Sequence, residues 1–201
     1  MDIRYGIIGC GNIAKFHFNA LRKINANITW IADINAAAAG KYAIEFGAKV
    51  TSDYNDLISA DDVDIVCVLA SSVIHKDVLL KSIAANKHII CEKTMTNNEK
   101  DSLEVLQASR TSDKLFFTAY MKRFFSASKK LESLLPDIGK IYTAYARSYQ
   151  AWGNFYSPDH GWDLNSIIRN YGGAVTKCAG SHMLDTIICL IMEQQVMGRR
   201  R

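Results

Sequence analysis

The chain has 201 residues, 49% of them hydrophobic and 22% charged, with a net charge of +4. That balance excludes disorder and fibrous structure, and the length suits one large domain or one domain with part of a second. Arginines 199–201 supply three of the four net charges, so no basic face for nucleic acid is left; they read as a solvated frayed end or, alternatively, a small anion-binding tail.

Apolar runs and helical patterns alternate from the start. A strand over 3–8 precedes a helix from about 12, and a strand over 28–32 precedes an alanine-rich helix from about 35. The rhythm continues with a strand over 64–69, a helix near 75–85, a strand over 88–91, a helix near 97–109 and a strand over 115–119. Short, wholly apolar strands separated by helices predict a parallel sheet covered on both faces, an α/β domain of the Rossmann type over residues 1–120. From 121 the pattern changes. A helix around 127–135 is followed by Gly139 and by a polar–apolar alternation over 140–152, which predicts a strand of a half-exposed sheet. Residues 153–173 read as loop and 175–192 as one amphipathic helix, so 121–201 is expected to form a partial α+β domain.

No apolar run reaches the roughly 18 to 20 residues that span a bilayer, and Asp2 and Arg4 stand at the start of the first short apolar strand, where a signal peptide would carry its apolar core. The five cysteines, Cys10, Cys67, Cys91, Cys178 and Cys189, are odd in number and show no metal-ligand spacing. They imply free thiols, a cytoplasmic location and no structural metal.

The strongest local signal is Gly9-Cys10-Gly11-Asn12-Ile13-Ala14, which follows the first strand directly and opens a helix. In that context Gly9 makes the tight turn, Gly11 leaves room for a pyrophosphate, Ala14 lets helix and strand pack closely, and the helix N-terminus offers unpaired N–H groups to phosphate. Asn12 and Ile13 belong to the same cofactor-binding turn. Asp33, at the end of the second strand, is placed to accept adenosine ribose hydroxyls and to repel a 2′-phosphate, which favours NAD over NADP. The other reading is a glycine turn with an unrelated surface acid. Cys91-Glu92-Lys93-Thr94 ends the strand over 88–91, at the sheet edge where ligands of open α/β sheets bind; read alone, Lys93 is equally a surface lysine. His182 shares a helix face with Cys178 and Asp185, and read alone it is equally a hydrogen-bonded core residue. Cys10 reads as a small buried side chain in preference to a redox thiol.

Taken together, the glycine loop, Asp33, Cys91-Glu92-Lys93 and the stretch from Gly172-Gly173-Ala174-Val175 to His182-Met183-Leu184-Asp185 resemble the glucose-fructose oxidoreductase, inositol dehydrogenase and rhizopine catabolism (Gfo/Idh/MocA) family. The resemblance implies a nicotinamide-dependent oxidoreductase acting on a secondary alcohol of a sugar, cyclitol or related polyol. It implies that Lys93 polarises the reacting oxygen, that His182 takes its proton, and that Glu92 sits by the nicotinamide ribose with Ser72 among the cofactor contacts. Asp185 and Cys178 then face the substrate. Departures are equally visible. Cys178 stands where many relatives have aspartate, Thr94 and Ser71 stand where proline is common, and relatives continue well beyond this length, so the chain is a fragment or a short form with reduced turnover. Without proline, the Lys93-Thr94 bond is expected to be trans. No role is assigned to His75. A non-catalytic NAD-binding regulator or inactive remnant, and an interaction module that pairs through its exposed strand or forms homo-oligomers through its sheet, are the alternatives.

Overall fold

Six short strands, apolar at their centres, form one parallel sheet in the computed structural model, which describes residues 3–148 and 176–198. In chain order the first 119 residues give β1 (Arg4–Ile8), α1 (Ala14–Lys23), β2 (Asn27–Ala32), α2 (Ala36–Phe46), β3 (Lys49–Thr51), α3 (Tyr54–Ser59), β4 (Ile65–Val68), α4 (His75–Ala84), β5 (His88–Cys91), α5 (Glu99–Arg110) and β6 (Phe116–Thr118). The strand order is β3-β2-β1-β4-β5-β6, with every neighbouring pair parallel. Strand order reverses between β1 and β4, which is where such sheets open a crevice at their carboxyl ends.

Successive strand residues bury on opposite faces, so the sheet has two cores. Ile7, Ile31 and Cys67 pack with Ala14, Phe18 and Leu21 of α1 and with Ala39 and Ala43 of α2. Ile8, Val66, Val68, Ile89 and Cys91 pack with Leu57 of α3, Val78 and Leu79 of α4, and Val105 of α5. In α1 the buried positions recur at helical spacing, 14, 18 and 21, and Phe18 stacks on Tyr42 across to α2; burying such a ring stabilises by about 1.5–3 kcal/mol. Helix ends follow local chemistry. The Asn35 side chain accepts the backbone N–H groups of Ala37 and Ala38 to start α2, and Gly47, at φ 69°, closes it.

The parallel α/β layering is as the alternating pattern predicts. Two elements were not anticipated: β3 has three residues, exposed or half-buried, and α3 has six, both too short for a period to register.

The chain divides into two compact units, Met1–Ala119 and Tyr120–Arg201. The second begins with a 3₁₀ turn (Met121–Phe124), then α6 (Ser126–Leu134) and a further 3₁₀ turn (Leu135–Asp137). It continues, after a π turn (Thr176–Gly180), into α7 (Ser181–Gly198). The strand expected over 140–152 is corrected: 141–148 carry no regular structure, and Tyr142 and Tyr145 are exposed. Alternation gives a strand its faces, but a ladder makes it a strand, and the sheet of the described residues takes its six strands from the first unit. Residues 149–152, the loop over 153–173, Gly172–Val175 and the arginines at 199–201 lie outside the described residues.

Candidate functional site

In the first unit, β1 ends at Ile8 and the chain turns through Gly9 at φ 100°. A Cβ on Gly9 would stand 2.5 Å from the backbone nitrogen of Ala70, so the turn passes against the end of β4. Gly11 differs: a Cβ there would meet nothing within 4 Å, which leaves the outer side of the loop open. Asn12 and Ile13 complete the turn before α1 begins at Ala14. Asp33 stands beside this loop, its Oδ2 accepting the Cys10 N–H at 2.6 Å and its Oδ1 accepting the Asn35 N–H at 2.7 Å. Each carboxylate oxygen keeps further acceptor capacity.

The end of β5 is tied to the same edge, since the Glu92 N–H donates to the Val68 carbonyl at 2.9 Å. Glu92 accepts the Lys93 N–H on Oε2 at 3.1 Å, and its Oε1 lies 2.8 Å from His17 Nε2. Ser72, in the loop after β4, donates to Asn97 Oδ1 at 2.8 Å. The sheet therefore gathers Gly9, Gly11, Asp33, Ser72, Glu92 and Lys93 at one edge. The expectation of a trans bond is corrected: Lys93-Thr94 is cis. A general preference about isolated peptides yields here to a segment fixed on both sides, by the Glu92 bond to Val68 and by His75 against the Thr94 carbonyl.

In the second unit, His182 lies in the first turn of α7 and is buried, with the Tyr120 ring edge-on to its imidazole at 5.8 Å. Asp185, one turn on, is gripped by the Arg123 fork: Nε donates to Oδ2 at 2.7 Å and Nη2 donates to Oδ1. Asp185 is thus not a free carboxylate, although each oxygen keeps a lone pair for a substrate hydroxyl. The backbone of Cys178 lies in the π turn, whose wider spacing alters the expected helical register between Cys178 and His182.

A family model described as an oxidoreductase family with an NAD-binding Rossmann fold, named for Gfo/Idh/MocA, matches residues 3–120. The chain belongs to the Gfo/Idh/MocA family. Inositol 2-dehydrogenase of Salmonella typhimurium is 32% identical over 160 residues, covering 75% of this chain and 47% of that protein. 1,5-anhydro-D-fructose reductase of Ensifer adhaerens is 28% identical over 190 residues, covering 92% and 55%. The chain spans about half the length of these curated relatives. Among solved structures, a Chromobacterium violaceum dehydrogenase in complex with NADH and UDP-GlcNAcA aligns at 26% identity with a TM-score of 0.78, covering 94% of this chain and 55% of that one. A 3-ketoreductase from Actinomadura kijaniata in complex with NADP aligns at 26% identity with a TM-score of 0.63, over 68% of this chain and 43% of that one.

The glycine loop of this family member fits a dinucleotide: an open face at Gly11, a helix N-terminus behind it, and an acid at the end of β2. The nearby thiols are not set up for redox chemistry. Burial pushes Cys10 up to about 12, with Asp33 adding to the shift, and burial alone pushes Cys67 up to about 12, so both stay protonated. Among the described residues no cluster of His, Cys, Asp or Glu has a metal-binding arrangement, and no helix is long and apolar enough to cross a membrane.

Three residues went unassigned in the sequence. His17 and Arg123 find partners 75 and 62 residues away, and no local pattern announces such pairs. His75 opens α4 fully buried, its Nδ1 2.9 Å from the Thr94 carbonyl oxygen and its Nε2 3.1 Å from that of Ala70. It buttresses the segment that carries Lys93. Burial pushes its pKa below the ordinary histidine value, outweighing the neighbouring carbonyls, so the unfolded chain takes up the proton first. This contribution to stability is present above about pH 6.5 and is lost as pH falls through the lowered folded value. The neutral imidazole donates its one N–H to one of these two carbonyls, so we expect His75→Leu to cost about 1–3 kcal/mol by leaving that carbonyl unpaired, and to flatten the acid side of the stability profile. Urea denaturation at pH 7.5 and pH 5 checks both; equal slopes in the two proteins would contradict the assignment.

Proposed function

We propose that this chain carries part or all of an enzyme that transfers hydride between NAD and a secondary alcohol or ketone of a sugar, cyclitol or related polyol. The supporting observation is the placement of the glycine loop, Asp33 and the Glu92-Lys93 pair at one edge of a family Rossmann sheet. Bound NAD supplies the acceptor for the carbon-bound hydrogen. In this reading Gly9, Gly11, Asn12 and Ile13 seat the pyrophosphate, Asp33 takes the adenosine ribose hydroxyls, and Ser72 and Glu92 hold the nicotinamide half. Lys93 orients the reacting oxygen and stabilises the charge that develops on it, while His182 takes the hydroxyl proton as general base. Asp185 and Cys178 contact the substrate's other hydroxyls, Asp185 together with the Arg123 it holds. Titration with NADH and assays of NAD turnover across sugars and cyclitols test the reading. Absence of NADH binding would end it.

Cys178 supports a second reading. A thiol where many relatives carry a carboxylate removes an acceptor for a sugar hydroxyl, as a non-catalytic NAD-binding regulator would tolerate. NADH binding with no turnover on any substrate selects that reading.

Among the described residues no guanidinium bonds to the Asp33 carboxylate: Ile34 and Asn35 follow in sequence, and its hydrogen-bond partners are the backbone N–H groups of Cys10 and Asn35. NAD is expected to bind more tightly than NADP by about 1–3 kcal/mol, roughly 5- to 150-fold. Parallel titrations decide it, and equal or reversed affinities would remove Asp33 from the ribose site.

A further inference from the structure

His17 stands in the first turn of α1, beside the positions Ala14, Phe18 and Leu21 that bury that helix on the sheet. Its Nε2 lies 2.8 Å from Glu92 Oε1, and the two side chains are only 21% and 13% exposed. An ionised carboxylate only accepts, so Nε2 carries the proton and donates it. The other carboxylate oxygen accepts the Lys93 N–H, and the Glu92 N–H is committed to Val68. Glu92 is therefore held at three points, and one of them belongs to the helix that follows the glycine loop. Because β4 lies between β1 and β5 in the sheet, this contact links α1, which follows the glycine loop, to the end of β5 over the place where strand order reverses.

We propose that His17 is a positioning residue of the dinucleotide site: its N–H holds the Glu92 carboxylate in the rotamer that faces both the Lys93 peptide and the ribose next to the nicotinamide. This rests on the reading that Glu92 serves the nicotinamide half of NAD. An unheld glutamate samples several rotamers and must be ordered at the moment of binding, which weakens the ligand that needs it. The adenosine half, read by Asp33 at the far side of the loop, is untouched by that loss. His17 thus acts selectively on one end of the ligand, which a purely structural contact would not do.

The test compares NADH with ADP, which lacks the nicotinamide ribose, on the whole chain by calorimetric titration. For His17→Ala the NADH dissociation constant should rise about tenfold, the size of one hydrogen bond to a charged group, while that of ADP stays within about twofold of wild type. His17→Gln, whose amide reaches a similar point, should recover most of the loss. Glu92→Ala should weaken NADH alike, and adding His17→Ala to it should weaken it no further. Equal losses for NADH and ADP, an unchanged NADH-to-ADP ratio, or fully additive effects of the two substitutions would each overturn the proposal. Wild-type chain that binds ADP but gains nothing from the nicotinamide half would overturn the assignment of Glu92 and the inference with it, whereas binding of neither ligand would overturn the dinucleotide site itself.

Discussion

Alanine at Gly9 is expected to destabilise the first unit by about 2–5 kcal/mol and to abolish NADH binding. Two costs combine at this position. The backbone sits at φ 100°, where a Cβ is strained, and the added atom would stand 2.5 Å from Ala70 N and 2.7 Å from Ala70 Cα. Those are backbone atoms that cannot swing aside, because Leu69 N–H donates to Ile8 at 2.7 Å and Gly9 N–H donates to Ala32 at 2.9 Å. Relief requires β1 and β4 to part at the point where the loop must be shaped. Gly11→Ala is the matched control. Its Cβ enters open space, so the fold should keep its stability while the new methyl stands where a pyrophosphate must approach. Urea denaturation and NADH titration of both variants separate fold from ligand: a Gly9→Ala chain as stable as wild type, or a Gly11→Ala chain with undiminished affinity, would contradict this account of the loop.

Lys93→Ala and His182→Ala are each expected to lower kcat for alcohol oxidation by about 10²–10⁴, the usual worth of a general base or of a charge that stabilises an oxyanion. NADH affinity should stay within about threefold, since neither side chain is assigned to the pyrophosphate or the adenosine ribose. Steady-state kinetics with the substrate found in the sugar and cyclitol panel gives the numbers. Two variants that turn over near the wild-type rate would remove Lys93 and His182 from the roles proposed for them.

Much of the first unit is legible in the sequence because its strands are apolar on both faces and its helices carry one buried stripe, as 14, 18 and 21 do in α1. Local turn chemistry is legible for the same reason: Gly9, Gly11 and Ala14 each answer a constraint set within a few residues. What escapes is what depends on distance. Nothing near residue 17 marks a partner at 92, and nothing near 123 marks one at 185, yet these contacts hold the side chains assigned to the chemistry. The Lys93-Thr94 geometry escapes too, because residue type sets only the preference of an isolated bond while His75 and Val68 fix the segment from outside. The segment 141–148 is the converse case: its polar–apolar alternation predicts a strand, yet it carries no regular structure, and positions 142–145 are exposed without alternation.

The bond from the Cys10 amide to Asp33 bears on anyone who would retool this protein for a phosphorylated cofactor. The acid proposed to discriminate against the 2′-phosphate is also a strut of the loop proposed to seat the pyrophosphate, so deleting it to admit NADP should slacken the seat for both cofactors at once. A redesign succeeds only if the replacement leaves an acceptor for that amide, as asparagine would, and brings the new positive charge from a neighbouring position such as Ile34, which is 94% exposed. Selectivity and grip are here one lever, and they have to be moved by two substitutions.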